Sequence, residues 1–105
     1  MRRGAFLASE AEVLVHEQAP KEVIQAKYLE AAQAEESHLC ATGESKPRTR
    51  GILAVSTAAL YYKAGDFTNA IRVAVEFGDP SQQLGEYYIG KLLEIISAAK
   101  SEGTA

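Results

Sequence analysis

The chain has 105 residues, 47% of them hydrophobic and 24% charged, with a formal net charge of -3. That length suits one domain, and the composition excludes a wholly disordered chain. The acidic balance argues against a duplex-binding protein, which carries a basic stripe. Alanine alone supplies 18 residues against 12 for Val and Ile together, and Ala loses no side-chain entropy in a helix. The expected fold class is all-α.

In the first segment, Leu7, Ala11, Leu14 and Val15 fall at i, i+4, i+7 and i+8, one face of a helix. Ser9 and Glu12 have the spacing of a capping box, which would place the helix start near Glu10. Pro20 closes this helix and suits the first turn of the next. The second helix is expected from about Pro20 to Ala41, with Ile24, Tyr28, Ala31 and Leu39 on the buried side. Its other side, including Glu35-Glu36, reads as solvated, and Gly43 suits a C-terminal cap. A polar loop follows over 42–49.

From Ile52 to Tyr62 only Ser56 and Thr57 are polar, so every face of this third helix carries apolar side chains. A helix apolar all round is surrounded by other elements, which makes this one the centre of a small bundle. Gly65 ends it, and Asp66 is placed to cap a fourth helix carrying Phe67, Ala70, Ile71, Ala74 and Phe77. Gly78 stops that helix, and Asp79-Pro80 signals an immediate restart. The fifth helix is expected over about 80–100, with Leu84, Tyr88, Leu92, Ile95 and Ala99 on one stripe. The organisation is one domain over 1–105: hairpin 1 over about 5–41, loop 42–49, hairpin 2 over about 50–78, and a capping helix.

The segment Ala58-Ala59-Leu60-Tyr61-Tyr62-Lys63-Ala64-Gly65-Asp66-Phe67-Thr68-Asn69-Ala70-Ile71 resembles the tetratricopeptide repeat. The matching features are small Ala58 and Ala70 at the hairpin crossing, Tyr61-Tyr62-Lys63 before the turn, and the Gly65-Asp66-Phe67 turn itself. The chain departs from the repeat at Ala54 and Thr57, where the family usually has Trp and Leu. The resemblance covers 54–77 and implies a TPR-like array of two helical hairpins plus a capping helix, working as a protein-protein interaction module. In such arrays the first helix of each hairpin lines a groove, here through Ile52, Val55, Ala59, Tyr62 and Lys63. The family's carboxylate clamp is not expected, because Val55 and Ala59 occupy its positions.

The stripe Ile52, Val55, Ala59, Tyr62 is apolar and, left in water, would form a patch that monomers avoid. Three covers are open: the first and fifth helices, a second copy giving a homodimer, or an amphipathic segment of another protein. Tyr61-Tyr62 and Tyr87-Tyr88 are adjacent pairs, so in each one ring can be buried while the other stays near the surface. The candidate partner-binding residues are Ile52, Val55, Tyr62, Lys63 and Tyr87, with Arg48 and Arg50 at the edge.

The single cysteine, Cys40, cannot form an internal disulfide, which fits a reducing compartment. It is expected to be a small buried or half-buried residue. No zinc spacing, phosphate loop, nucleophile elbow or membrane-length apolar run is present. The expectation is a cytoplasmic interaction protein that binds itself or an amphipathic segment of another protein, with no catalysis, cofactor, metal, nucleic acid or membrane. The alternative is a regulatory domain binding a small molecule between the central and fifth helices.

Overall fold

The computed structural model describes residues 2–103, and among them every regular element is helical. Five α-helices follow in order: α1 Arg3–His16, α2 Lys21–Ala41, α3 Pro47–Lys63, α4 Phe67–Phe77 and α5 Glu86–Gly103. A single 3₁₀ turn, Pro80–Gln82, stands between α4 and α5. Each helix packs on the next, and α5 also lies along α3. The principal extents of 40 × 35 × 17 Å describe a slab, its thin dimension matching two layers of helices at ordinary spacing. Among the described residues, no helix is long and apolar enough to cross a membrane.

Alanine makes this close packing work. Ala11, Ala31, Ala32, Ala54, Ala58, Ala70, Ala74 and Ala99 all have no accessible surface. They sit where helices cross, and a methyl group there lets neighbouring backbones approach. Around them Leu7, Leu39, Leu53, Leu60, Val73, Phe77, Leu84 and Leu92 fill one continuous core. The centre is α3, which touches α2, α4 and α5.

Turn chemistry is legible at the α3–α4 junction. Gly65 adopts φ +78°, a left-handed conformation that suits glycine, and the Asp66 carboxylate accepts from the Asn69 backbone N–H at 3.2 Å to cap α4. Three helix starts and one cap differ from the expectation, the start of α3 being at Pro47, inside the expected 42–49 loop. Helix α1 starts at Arg3, and Ser9 lies inside it, its hydroxyl donating to the Ala5 carbonyl at 3.1 Å instead of capping. Gly43 does not take the left-handed conformation; α2 closes on Thr42, whose hydroxyl donates to the His38 carbonyl at 2.8 Å. Gly78 ends α4 where expected, in the right-handed region with φ -77°.

The fifth helix does not restart at Asp79. Asp79 caps only the 3₁₀ turn, accepting from the Ser81 N–H at 2.8 Å. Gln83 (φ 56°) and Gly85 (φ 94°) then turn the chain left-handed before α5 begins at Glu86. Two side chains also depart. Glu35, expected on a solvated face, is only 1% exposed, and Cys40, expected to be at least half-buried, is exposed.

Candidate functional site

The open surface of the central helix builds the candidate site. Leu53, Ala54, Thr57, Ala58, Leu60 and Tyr61 turn one side of α3 into the core. That leaves Ile52, Val55, Ala59 and Tyr62, at i, i+3, i+7 and i+10, only partly covered. Helix α5 flanks this stripe in the same direction as α3: Gly51 meets Tyr88 at one end, and Tyr62 meets Glu102 at the other. Gly51 permits the approach, since a Cβ there would lie 2.5 Å from Tyr88 Cδ2.

Between the two helices lies a hollow of about 330 Å³, lined by Ile52, Val55 and Ser56 of α3 and by Tyr87, Tyr88 and Lys91 of α5. The two tyrosine rings meet edge-on, with centroids 5.3 Å apart and planes at 83°. Lys91 Nζ stands 5.7 Å from the Tyr87 ring centroid and 3.7 Å from Glu94. Ile52 is 43% exposed and Tyr87 69%, so this apolar surface faces solvent.

Of the residues expected to form a contact surface, Ile52, Val55 and Tyr87 come together in this hollow. Tyr62 lies on the same stripe at its far end. Its hydroxyl donates to Glu102 at 2.7 Å, a bond that raises the phenol pKa, and its ring rests 5.5 Å from that of Phe67. Lys63 points elsewhere, with Nζ 5.7 Å over the Tyr28 ring of α2. Arg48 is exposed in the first turn of α3, four residues before Ile52 and so on the same face.

Arg50 is not at the edge. It is 9% exposed, its guanidinium 5.6 Å from the Phe77 ring centroid and its Nη2 donating to Gln82 Oε1 at 2.8 Å. Its Nε is buried without a partner. The residue ties the start of α3 to the end of α4 and to the 3₁₀ turn.

A polar seam meets the hollow at Ser56, and its carboxylate, Glu35, is the residue expected on a solvated face. The Glu35 carboxylate of α2 accepts from Arg2 Nε at 3.1 Å, from Arg2 Nη2 at 3.2 Å and from the Ser56 hydroxyl at 2.9 Å. Ser56 is also a lining residue of the hollow, so the seam ties Arg2, the residue that opens α1, to α2 and to the groove wall on α3. A positional signal for Glu35 existed: Tyr28, Ala31, Ala32, Glu35 and Leu39 share the buried face of α2 at helical spacing.

A second polar cluster holds α2 to α3 and α4. Glu36 accepts from the Tyr61 hydroxyl at 2.6 Å and from Arg72 Nη2 at 2.9 Å, with Arg72 Nη1 2.9 Å from its other oxygen. The Arg72 hydrogen bond holds the Glu36 carboxyl below its ordinary pKa, while burial, reinforced by Glu36, raises that of the Tyr61 phenol. Among the described residues no group of three or more His, Cys, Asp or Glu is placed to hold a metal ion. Compared with known proteins, the chain matches no family model, no curated protein and no solved structure.

Proposed function

We propose that this chain is a small interaction module of tetratricopeptide-like type, working in the cytoplasm, that associates with a second copy of itself through the α3–α5 groove. The observation that carries this reading is the Ile52–Val55–Tyr87 surface, which is apolar, contiguous and open to solvent. Apolar patches of this kind, rimmed by polar groups, mark protein contact sites, and tyrosine is a favoured anchor because it buries a large area and keeps a polar end. The reading requires no catalysis and no cofactor.

Ligand binding is the weaker reading. Its supporting observation is that the hollow lies between the central and fifth helices. Small-molecule sites, however, enclose roughly 70–90% of a ligand, and the exposure of Ile52 and Tyr87 leaves this one wide open. A metabolite that raised the melting temperature would favour the ligand reading.

Sedimentation velocity from micromolar to millimolar concentration tests the proposal. The wild-type chain is expected to associate, and Tyr87→Glu, at a site already exposed, is expected to remain monomeric with unchanged helicity. A wild-type chain that stays monomeric throughout overturns the reading.

A further inference from the structure

Resting on that reading, we infer that the element entering the groove is the outer face of α1 from the second copy. The face is built as an amphipathic stripe: Phe6, Glu10, Val13 and Glu17 fall at i, i+4, i+7 and i+11, on one side of the helix. Leu7 and Ala11 turn the opposite side into α2. Phe6 and Val13 are each 54% exposed, an apolar pair more than half open to solvent. Around Val13, the residues Glu10, Leu14, Glu17 and Lys27 border a second shallow hollow of about 390 Å³.

The two surfaces are complementary in charge. The groove carries Lys91, 3.7 Å from Glu94, on its α5 wall and Arg48 at the end of its α3 stripe, whereas the α1 stripe carries Glu10, 3.8 Å from Lys27, and Glu17. Association therefore exchanges two in-chain pairs for pairs across the interface. The sequence has the same asymmetry: residues 1–45 hold four basic and eight acidic side chains, and residues 46–105 hold seven and six. An apolar helix face edged by carboxylates thus meets an apolar groove edged by cations, the helix-in-groove mode of recognition.

A stable contact needs about 800 Å² from each partner, roughly an eighth of the 6277 Å² surface of this chain. In the reciprocal exchange each copy gives one α1 and one groove, so the contact occurs twice and the area of a single contact is doubled.

Charge reversal in two halves tests the assignment by sedimentation equilibrium, with circular dichroism confirming that each variant is folded. One variant is Glu10→Lys/Glu17→Lys; the other is Arg48→Glu/Lys91→Glu. Each alone is expected to associate roughly tenfold more weakly or worse, since like charges then face each other in both contacts. Mixed together they are expected to regain the wild-type affinity as a heterodimer, in which both contacts again pair opposite charges.

Wild-type affinity in Glu10→Lys/Glu17→Lys, or weakened variants whose mixture stays monomeric, overturns the α1 assignment. The groove reading survives that result if Tyr87→Glu still dissociates the wild-type pair. A wild-type chain that is always monomeric removes both.

Discussion

Gly4→Ala ought to stabilise α1 if helix propensity decided the outcome, because Ala in a helix interior is better than Gly by about 1 kcal/mol. The structure predicts the opposite sign. A Cβ at position 4 would lie 2.3 Å from Glu35 Cγ and 2.7 Å from Glu35 Oε1, closer than atoms can approach. Glu35 cannot swing aside cheaply, because it is 1% exposed and its carboxylate is held by Arg2 and Ser56. Overpacking typically costs about 1–3 kcal/mol, and disturbing bonds to a charged group costs about 1.5–3 kcal/mol. The Arg2 share is discounted, since that side chain is 40% exposed. Set against the propensity gain, the net expectation is a loss of about 1–3 kcal/mol, or roughly 4–20 °C in melting temperature for a domain of this size. Gly90→Ala is the internal control. It lies inside α5 with nothing within 4 Å of a built Cβ, so the same substitution there should stabilise by about 1 kcal/mol. Urea unfolding followed by far-UV circular dichroism measures both. If Gly4→Ala stabilises as Gly90→Ala does, the claim that α1 and α2 touch through a pinned carboxylate is refuted.

The core and the second polar cluster give further tests. Leu92 has no accessible surface and joins α5 to the core, so Leu92→Ala should cost about 2–5 kcal/mol in urea unfolding; a loss under 1 kcal/mol would mean that α5 is not docked as described. The depressed pKa of Glu36 contributes stability that is present above its unfolded value near 4.5 and is lost as pH falls through the lower folded value. Arg72→Ala should therefore unfold at lower urea than wild type at pH 7, by about 0.5–1 kcal/mol given solvent screening of this part-exposed pair. That gap should narrow below about pH 4.5, and a gap that does not change with pH would show that Arg72 stabilises by packing alone.

Fold class, helix number and the central place of α3 were legible because each depends on many residues at once. Eleven nearly unbroken apolar positions force cover on most sides of a helix, whatever any single residue does. What escaped were positions where one tertiary contact outweighs local preference. Ser9 has the right residue type and spacing for a cap, but Gly4, Leu7 and Ala11 find α2 to pack on, and that burial extends the helix past it. The charge of Glu35 argues for solvent while its register places it on the buried face; Arg2, thirty-three residues away, makes the burial tolerable. Of the candidate surface, Ile52, Val55 and Tyr87 were legible as apolar or aromatic positions on the expected helix faces. The burial of Arg50 was not, because it depends on Phe77 and on a 3₁₀ turn that no local signal distinguishes from a helix start.

That turn decides whether a groove exists. Had α5 begun at Asp79, as its cap and Pro80 suggest, it would have left the end of α4 with no segment able to redirect it. Instead Gly78 to Gly85 form an eight-residue connection with two left-handed positions, long enough to bring the chain back beside the start of α3. Arg50 fixes the connection by binding Gln82, and one residue later Gly51 removes the side chain that would have kept Tyr88 away. Adjacent positions on α3 therefore do the two things that place α5: one holds its leader, and the other lets its first turn close in. The Tyr87–Tyr88 wall of the hollow follows from that pair, so a surface that looks like a property of two helices depends on how the chain between them is anchored.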